Sequence, residues 1–126
     1  MEQNNKSVLV VDDDLDLRYM LSARLVSAGY RVYGAANGWE GLEQLEKHSI
    51  DVVLTDYHMP GMNGFELLSV CRVKWPGIPV LVFSGEQDDM AHEAVEWGAF
   101  AWVRKGSELT MLLEFLDHAI QQSVDA

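Results

Sequence analysis

The chain has 126 residues, of which 48% are hydrophobic and 23% charged, a composition that suits one globular domain with a sizeable core. The net charge of −11 argues against direct nucleic-acid binding, which needs clustered Lys and Arg, and suits a cation or a basic partner surface. The apolar runs are far shorter than the ~20 residues of a membrane span, and the N-terminus is polar, so we expect a cytoplasmic protein with no membrane partner.

Two periodicities alternate along the chain. Short, β-branched apolar runs predict five strands, which are SVLVV (7–11), YRVYGA (30–35), DVVLT (51–55), IPVLVF (78–83) and FAWV (100–103). Apolar residues spaced three or four apart predict a helix after each strand. The helix stripes hold Leu17 to Ala28, Trp39 to Leu45, Phe65 to Trp75, Met90 to Val95 and Leu109 to Ile120. The predicted helix boundaries carry suitable residue types, because Asn37 and Ser107 suit N-caps, and Gly29 and Gly98 suit helix ends.

Strands that are apolar on both faces and alternate with helices predict a parallel sheet covered on both sides. The expected fold is therefore α/β and flavodoxin-like, a doubly wound (βα)5 unit with helices on both faces. The strand order 2-1-3-4-5 is taken from known folds of this class. We expect one domain over residues 1–126, with its core at about 7–121 and no output domain in this sequence.

Polar residues follow four of the five predicted strands. They are Asp12, Asp13 and Asp14 after strand 1, Asp56 after strand 3, Ser84 after strand 4, and Arg104 and Lys105 after strand 5. The segment after strand 2, GAAN, carries no charge. Because ligands of such sheets bind beyond the carboxyl ends of the strands, these side chains are expected to converge on one patch.

Taken singly, these residues have ordinary explanations. Asp14 is better explained as a helix cap, Ser84 as a turn hydroxyl and Lys105 as a solvated lysine, while Asp12 suits a cap or a site equally well. The joint placement favours a site. Two carboxylates about 4 Å apart repel by ~4 kcal/mol at an effective dielectric near 20, so the acids predict a hard divalent cation, and Mg²⁺ fits an oxygen-only site better than Ca²⁺ or Zn²⁺.

The sequence closely resembles the receiver domain of bacterial two-component response regulators. The resemblance covers nearly the whole chain and is carried by VLVVDDD, ANGWEGL, DVVLTDYHMPGMNGFELL, IPVLVFSG and GAFAWVRK. The combination of the acidic pair, the D-x-x-MPGMNG segment and the late lysine is specific, although no single piece would be.

The resemblance implies that Asp56 is the phosphoacceptor and also a metal ligand. Asp12 and Asp13 would form the acidic pocket, with Asp13 binding Mg²⁺ directly and Asp12 mostly through water. The backbone carbonyl of His58 would complete the protein ligands of the metal. The donor would be a phosphohistidine on a sensor histidine kinase or a phosphotransfer protein. Such a domain catalyses only its own phosphorylation and dephosphorylation, so it is not an enzyme acting on other substrates.

The resemblance also implies a switch. Ser84 would hydrogen-bond the phosphoryl group and Lys105 would pair with it. Movement of the Ser84 hydroxyl would let Trp102 rotate from exposed to buried, changing the surface of helix 4, strand 5 and helix 5. The binding partner that recognises that surface would be an unknown downstream protein or a missing output domain.

Three features depart from the family pattern. Gly106 replaces the usual proline after the lysine, so a cis bond there is not expected. Ala101 replaces the usual acid before the aromatic switch, and Trp102 is bulkier than the commoner Tyr or Phe. Helix 4 has no Lys or Arg, which argues against the dimer that pairs basic residues of that helix with acids of helix 5. A monomer or a different phosphorylation-dependent homodimer is expected.

His58 and Glu86 lie two residues beyond Asp56 and Ser84, beside the path of an attacking water, and we predict that they tune the lifetime of the phosphoryl group. His48, His92 and His118 are interpreted as surface residues.

Cys71 falls among apolar helix positions, so it is interpreted as a buried structural thiol.

Two other functions stay open. The first is a phosphorylation-independent interaction module on the same fold. The second is a metal-dependent phosphatase that also uses an aspartyl phosphate. Phosphatases of that kind carry a second acid two residues after the nucleophile, and His58 occupies that place here.

Overall fold

The computed structural model describes residues 6–85, 91–104 and 109–125. Five strands and five helices alternate through these ranges. The strands are β1 (Ser7–Val11), β2 (Arg31–Ala35), β3 (Val52–Asp56), β4 (Val80–Ser84) and β5 (Ala101–Arg104). The helices are α1 (Leu15–Ser27), α2 (Gly38–Lys47), α3 (Gly64–Lys74), α4 (Ala91–Trp97) and α5 (Leu109–Asp125). Among the described residues, no helix is both long enough and apolar enough to span a membrane.

The strands form one parallel sheet in the order β2-β1-β3-β4-β5. This order confirms the predicted flavodoxin-like topology. Strand β1 lies between β2 and β3, so the chain reverses its direction of winding beside β1. The ends of β1 and β3 are therefore adjacent, and Val11 pairs with Thr55, one residue before Asp56.

The two faces of the sheet bury separate apolar clusters, because successive side chains of a strand point to opposite faces. Leu9, Val11 and Val53 face the cluster that α2, α3 and α4 cover. Val10 and Leu54 face the cluster that α1 and α5 cover. The core strands β1, β3 and β4 are buried at every position, so they hold the site residues at their ends on a rigid frame.

Side-chain caps begin α1 and α2. Asp14 accepts hydrogen bonds from the amides of Asp16 (3.0 Å) and Leu17 (3.2 Å) at the start of α1. Asn37 accepts from the amide of Glu40 (2.9 Å) at the start of α2. Each bond satisfies an amide that the helix itself leaves unpaired. These contacts confirm that Asp14 and Asn37 cap the two helices, as was expected from the sequence.

Glycines end two helices as expected. Gly29 follows α1 with φ 98° and Gly98 follows α4 with φ 95°. Both lie in the left-handed region, which glycine adopts without the steric cost that a Cβ atom brings.

Some boundaries and faces differ from those predicted. Asp56, Ser84 and Arg104 are the last residues of their strands instead of following them, so their backbones belong to the sheet ladder. Trp39 and Val95 were placed on apolar stripes, yet their side chains are 61% and 73% exposed. Helical spacing places such residues near the covered face, but it does not say how far the covering surface extends.

Candidate functional site: three carboxylates at the ends of β1 and β3

Three carboxylates converge where β1 and β3 end. Asp12, Asp13 and Asp56 each offer one oxygen, and these oxygens lie within 4.8 Å of one another. Asp12 is fully buried and Asp56 nearly so, whereas Asp13 is exposed. The site thus has two acids in its floor and one at its mouth, an arrangement of burial that the strand-end pattern did not predict.

The backbone of the β1–α1 turn fixes the first of these acids. The amide of Asp12 donates to the carbonyl of Ala35 (3.0 Å), which continues the pairing of β1 with β2 by one residue. The Asp12 carboxylate accepts from the amide of Asp14 (2.9 Å). Arg18, on the second turn of α1, donates from Nη1 to the carbonyl of Asp12 (2.7 Å).

The loop from β3 to α3 holds the third acid. The amide of His58 donates to Oδ1 of Asp56 at 3.4 Å, and the amide of Gly64 donates to the carbonyl of Tyr57 at 2.8 Å. Gly64 lies so close to the strand end that a Cβ atom on it would be 2.6 Å from the carbonyl oxygen of Asp56. The return of the loop to α3 therefore packs directly on the backbone of Asp56.

An open cavity of about 400 Å³ adjoins these acids. It is lined by Asp13, Tyr57, His58, Met59, Pro60 and Asn63. The cavity gives the exposed side of the acidic group contact with solvent and room for a ligand group larger than an ion. His58 is exposed at this rim, and its ring and that of Tyr57 make a T-shaped contact at a centroid distance of 4.8 Å.

Ser84 is fully buried at the end of β4. Asp56 pairs with Phe83 in the β3–β4 register, so Ser84 lies one residue further along the neighbouring strand. Its hydroxyl donates to the carbonyl of Gly85 at 3.4 Å, a long contact near the outer limit for a hydrogen bond.

Trp102 is half-buried in this structure rather than exposed. Its ring contacts Tyr57 and Phe65, each at a centroid distance of 5.9 Å. Phe65 also stacks on Trp97 of α4 at 5.5 Å. This aromatic group joins the residue after Asp56 to β5 and α4. Tyr57 was not predicted from the sequence to lie at the site, although its position next to Asp56 was the available signal.

Four residues expected at or near the site lie outside the described residues. They are Glu86, Lys105, Gly106 and Ser107. The role of Glu86 in tuning the phosphoryl lifetime and the pairing of Lys105 with the phosphoryl group therefore stay predictions. So do the expected absence of a cis bond before Gly106 and the helix cap at Ser107.

The interpretation of the histidines as surface residues is confirmed, because His48, His92 and His118 are all exposed. His92 lies 3.3 Å from Glu96 one turn further along α4.

Cys71 is buried in α3, and this burial raises the pKa of its thiol to about 12. A thiol that stays protonated is a poor nucleophile, which agrees with a structural role.

The acidic group fits the predicted cation. It offers only carboxylate oxygens, the ligands that hard divalent ions prefer, and one of its members is open to solvent. Mg²⁺ commonly keeps several waters and uses one or two carboxylates together with phosphate oxygens. A shallow site with few protein ligands is suited to that coordination.

Comparison with known proteins agrees with this geometry. Residues 8–117 match the profile of the response regulator receiver domain. The transcriptional regulatory protein GlrR of Escherichia coli K12 is 34% identical across the whole chain, and the matched region is 29% of GlrR. The DNA-binding transcriptional regulator NtrC of the same organism is 36% identical over 90% of the chain and 24% of NtrC. The chain thus spans about a quarter of the length of these relatives.

A solved structure is similar over nearly its full length. The response regulator receiver domain protein from Clostridium thermocellum superposes with a TM-score of 0.88 at 31% identity, covering 93% of this chain and 95% of that protein. The profile match over most of the residues and the common fold lead to one conclusion. The chain belongs to the response regulator receiver domain family, a class of two-component signalling modules.

Proposed function

We propose that this domain receives a phosphoryl group on Asp56, with Mg²⁺ held by Asp12, Asp13 and Asp56. The observation that carries the proposal is the convergence of these three carboxylates to within 4.8 Å at the end of the sheet. Three carboxylates in one place repel one another strongly without a counter-ion. A phosphoryl donor is also negatively charged, so its binding there requires further positive charge. The backbone carbonyl of His58 is proposed as a further metal ligand.

The proposed reaction follows from the position of Asp56. A carboxylate oxygen of Asp56 forms a bond to phosphorus while the bond from phosphorus to the donor breaks; for a phosphohistidine the leaving group is the imidazole nitrogen. Because Asp56 ends a fully buried strand, its carboxylate is presented in a fixed direction, and phosphoryl transfer depends mainly on positioning and charge stabilisation. When bound, Mg²⁺ supplies positive charge to the phosphoryl oxygens. Lys105 is proposed to supply a second positive charge there.

Loss of the phosphoryl group requires a water to attack phosphorus, and His58 stands exposed at the rim where that water would enter. We therefore keep His58, together with Glu86, as residues that tune the lifetime of the aspartyl phosphate. Replacing either residue is expected to change the dephosphorylation rate, and an unchanged rate in either variant would refute this role.

The proposed signal begins at Ser84 and Trp102. A phosphoryl group on Asp56 would accept a hydrogen bond from the Ser84 hydroxyl, whose present contact to Gly85 is long and easily exchanged. Movement of the Ser84 side chain would change the packing of Trp102 against Tyr57 and Phe65. The outcome is a shift between two arrangements of α4, β5 and α5, biased by a local change in charge.

The proposed partners follow from the relatives. A sensor histidine kinase or a phosphotransfer protein would supply the phosphoryl group. The relatives are transcriptional regulators in which the matched region makes up only 29% and 24% of the length, so a downstream protein or an output domain would read the switch. The expected cytoplasmic location and the monomeric or phosphorylation-dependent dimeric state stay predictions.

Intact-mass measurement after incubation with acetyl phosphate and Mg²⁺ tests the proposal. The wild-type chain is expected to gain one phosphoryl group, and Asp56→Asn is expected to gain none. Asp16→Asn, a substitution of an exposed acid in the first turn of α1, serves as the matched control and is expected to behave as wild type. Chelation of Mg²⁺ is expected to prevent the gain.

Three outcomes would contradict the proposal. An adduct that survives Asp56→Asn would place the chemistry elsewhere. The absence of any adduct in the wild-type chain would favour a phosphorylation-independent interaction module. Turnover of added phosphate esters would favour the phosphatase alternative, against which the histidine at position 58 already counts.

A further inference from the structure

The side chain of Arg18 contacts the backbone of the acidic site. Its Nη1 donates to the carbonyl oxygen of Asp12 at 2.7 Å, within the short range of charge-assisted bonds, which are roughly twice as strong as neutral ones. The side chain reaches back from the second turn of α1 past the capping residue Asp14. Arg18 thus ties the helix to the residue that provides the buried carboxylate of the site.

The surroundings of Arg18 support a fixed side chain. Its aliphatic stem lies over Gly34 of β2, where a Cβ atom would be 3.6 Å from Cδ. The amide of Asp12 donates to the carbonyl of Ala35 on the same strand. The Asp12 backbone is therefore held from two sides, by β2 through its amide and by α1 through its carbonyl.

We propose that Arg18 is a positioning residue for the metal site: it holds the Asp12 backbone so that Asp12 and Asp13 present their carboxylates toward Asp56. The inference rests on the proposed function for the identity of the cation. Arg18 does not touch the cation in this role. It acts on the turn that carries two of the three acids.

The charge of Arg18 and its positioning role make opposite predictions for Mg²⁺ affinity. As a nearby positive charge, Arg18 repels a cation, so removing only the charge would strengthen Mg²⁺ binding. As a positioning residue it pre-forms the acidic site, and loss of an outer-shell partner typically weakens metal binding 10- to 100-fold. The sign of the change therefore separates the two roles.

The test is a titration with Mg²⁺ alone, followed by the amide NMR shifts of residues 12–14 in the unphosphorylated chain. Arg18→Met keeps the aliphatic stem and removes the donor. We expect it to weaken Mg²⁺ binding about 10-fold. Arg24→Met, on the last turn of the same helix, removes the same charge away from the site and is expected to leave binding within about 2-fold of wild type, since exposed charges are screened.

A second readout needs no metal. The amide of Asp14 donates to the Asp12 carboxylate, so its hydrogen exchange reports the order of the turn. In metal-free Arg18→Met this amide is expected to exchange faster, while the remote amide of Trp75, bonded to the Cys71 carbonyl at 2.7 Å, is expected to keep its rate. A general loss of stability would accelerate both.

Arg18→Lys keeps the charge and an N–H donor group but not the planar fork, so it is expected to bind Mg²⁺ with an affinity between wild type and Arg18→Met. It also serves if Arg18→Met does not fold. Unchanged or tighter Mg²⁺ binding in Arg18→Met, or an unchanged exchange rate at Asp14, would overturn the inference. A wild-type chain that binds no Mg²⁺ would instead contradict the proposed function. The hydrogen-exchange rate of the Asp14 amide would still test whether Arg18 orders the turn.

Discussion

Gly64 marks the point where α3 begins against the backbone at the end of β3. A Cβ atom at this position would lie 2.6 Å from the Asp56 carbonyl oxygen and 2.9 Å from the Tyr57 Cα. Backbone atoms cannot turn aside as a flexible side chain can. We predict that Gly64→Ala lowers the free energy of unfolding by about 2–3 kcal/mol, the upper range for overpacked positions.

Urea unfolding measures this change, with Gly77→Ala as the matched control. A Cβ atom at Gly77 would meet nothing within 4 Å, so that substitution is expected to change stability by less than about 0.5 kcal/mol. Equal effects of the two alanines would show that the Asp56 backbone tolerates a side chain at position 64.

The thiol of Cys71 offers a second test at the scale of one residue. Burial raises its pKa to about 12, so at pH 8 nearly all of it is protonated, and it is enclosed in the core under α3. We predict no reaction with an aromatic disulfide reagent over the time in which the urea-unfolded chain reacts fully. Rapid reaction of the folded chain would contradict this packing.

The start of α3 is held by a reciprocal pair of bonds. The Asn63 side chain accepts from the amide of Glu66 (2.9 Å), and the Glu66 carboxylate accepts from the amide of Asn63 (3.0 Å). This capping box satisfies two amides that would otherwise lack partners. We predict that Asn63→Ala costs about 1 kcal/mol of stability, measured by urea unfolding.

Glu66→Ala and the double variant complete a mutant cycle for this box. Because the two side chains act together, the double variant is expected to lose less than the sum of the single losses. Additive losses would mean that the two contacts are independent.

At the scale of helices and strands, the sequence predicted most of the fold. Periodicity located all ten elements to within a few residues, and the cap residues Asp14 and Asn37 marked helix starts, because local hydrogen-bonding chemistry is readable from residue type. It failed for Trp39 and Val95, whose exposure depends on how far neighbouring helices reach. The sequence could place the three acids at one site because parallel strands end at one edge of the sheet. Spacing alone could not show that Tyr57 and Arg18 contact the surroundings of that site, since these contacts depend on the directions of the two side chains in three dimensions.

At the scale of the whole molecule, the net charge of −11 opposes compaction, and the site concentrates part of that charge. Mg²⁺ that binds only the folded state should stabilise it; at ten times the dissociation constant the gain is about 1.4 kcal/mol. We predict that MgCl₂ raises the thermal midpoint more than NaCl at equal ionic strength.

Asp13→Asn removes the exposed acid of the site and is expected to abolish the excess effect of Mg²⁺ while leaving the effect of NaCl. Asp16→Asn is the control and should retain both. Equal stabilisation by the two salts in the wild-type chain would mean that Mg²⁺ only screens surface charge.

The measurement closest to the central claim is the position of the phosphoryl group itself. Borohydride reduces an aspartyl phosphate to homoserine, so peptide mapping of the chain treated with acetyl phosphate, Mg²⁺ and then borohydride identifies the acceptor. We predict homoserine at position 56 and at no other aspartate. Homoserine at Asp12 or Asp13, or none in a chain that has gained a phosphoryl group, would contradict the assignment of Asp56.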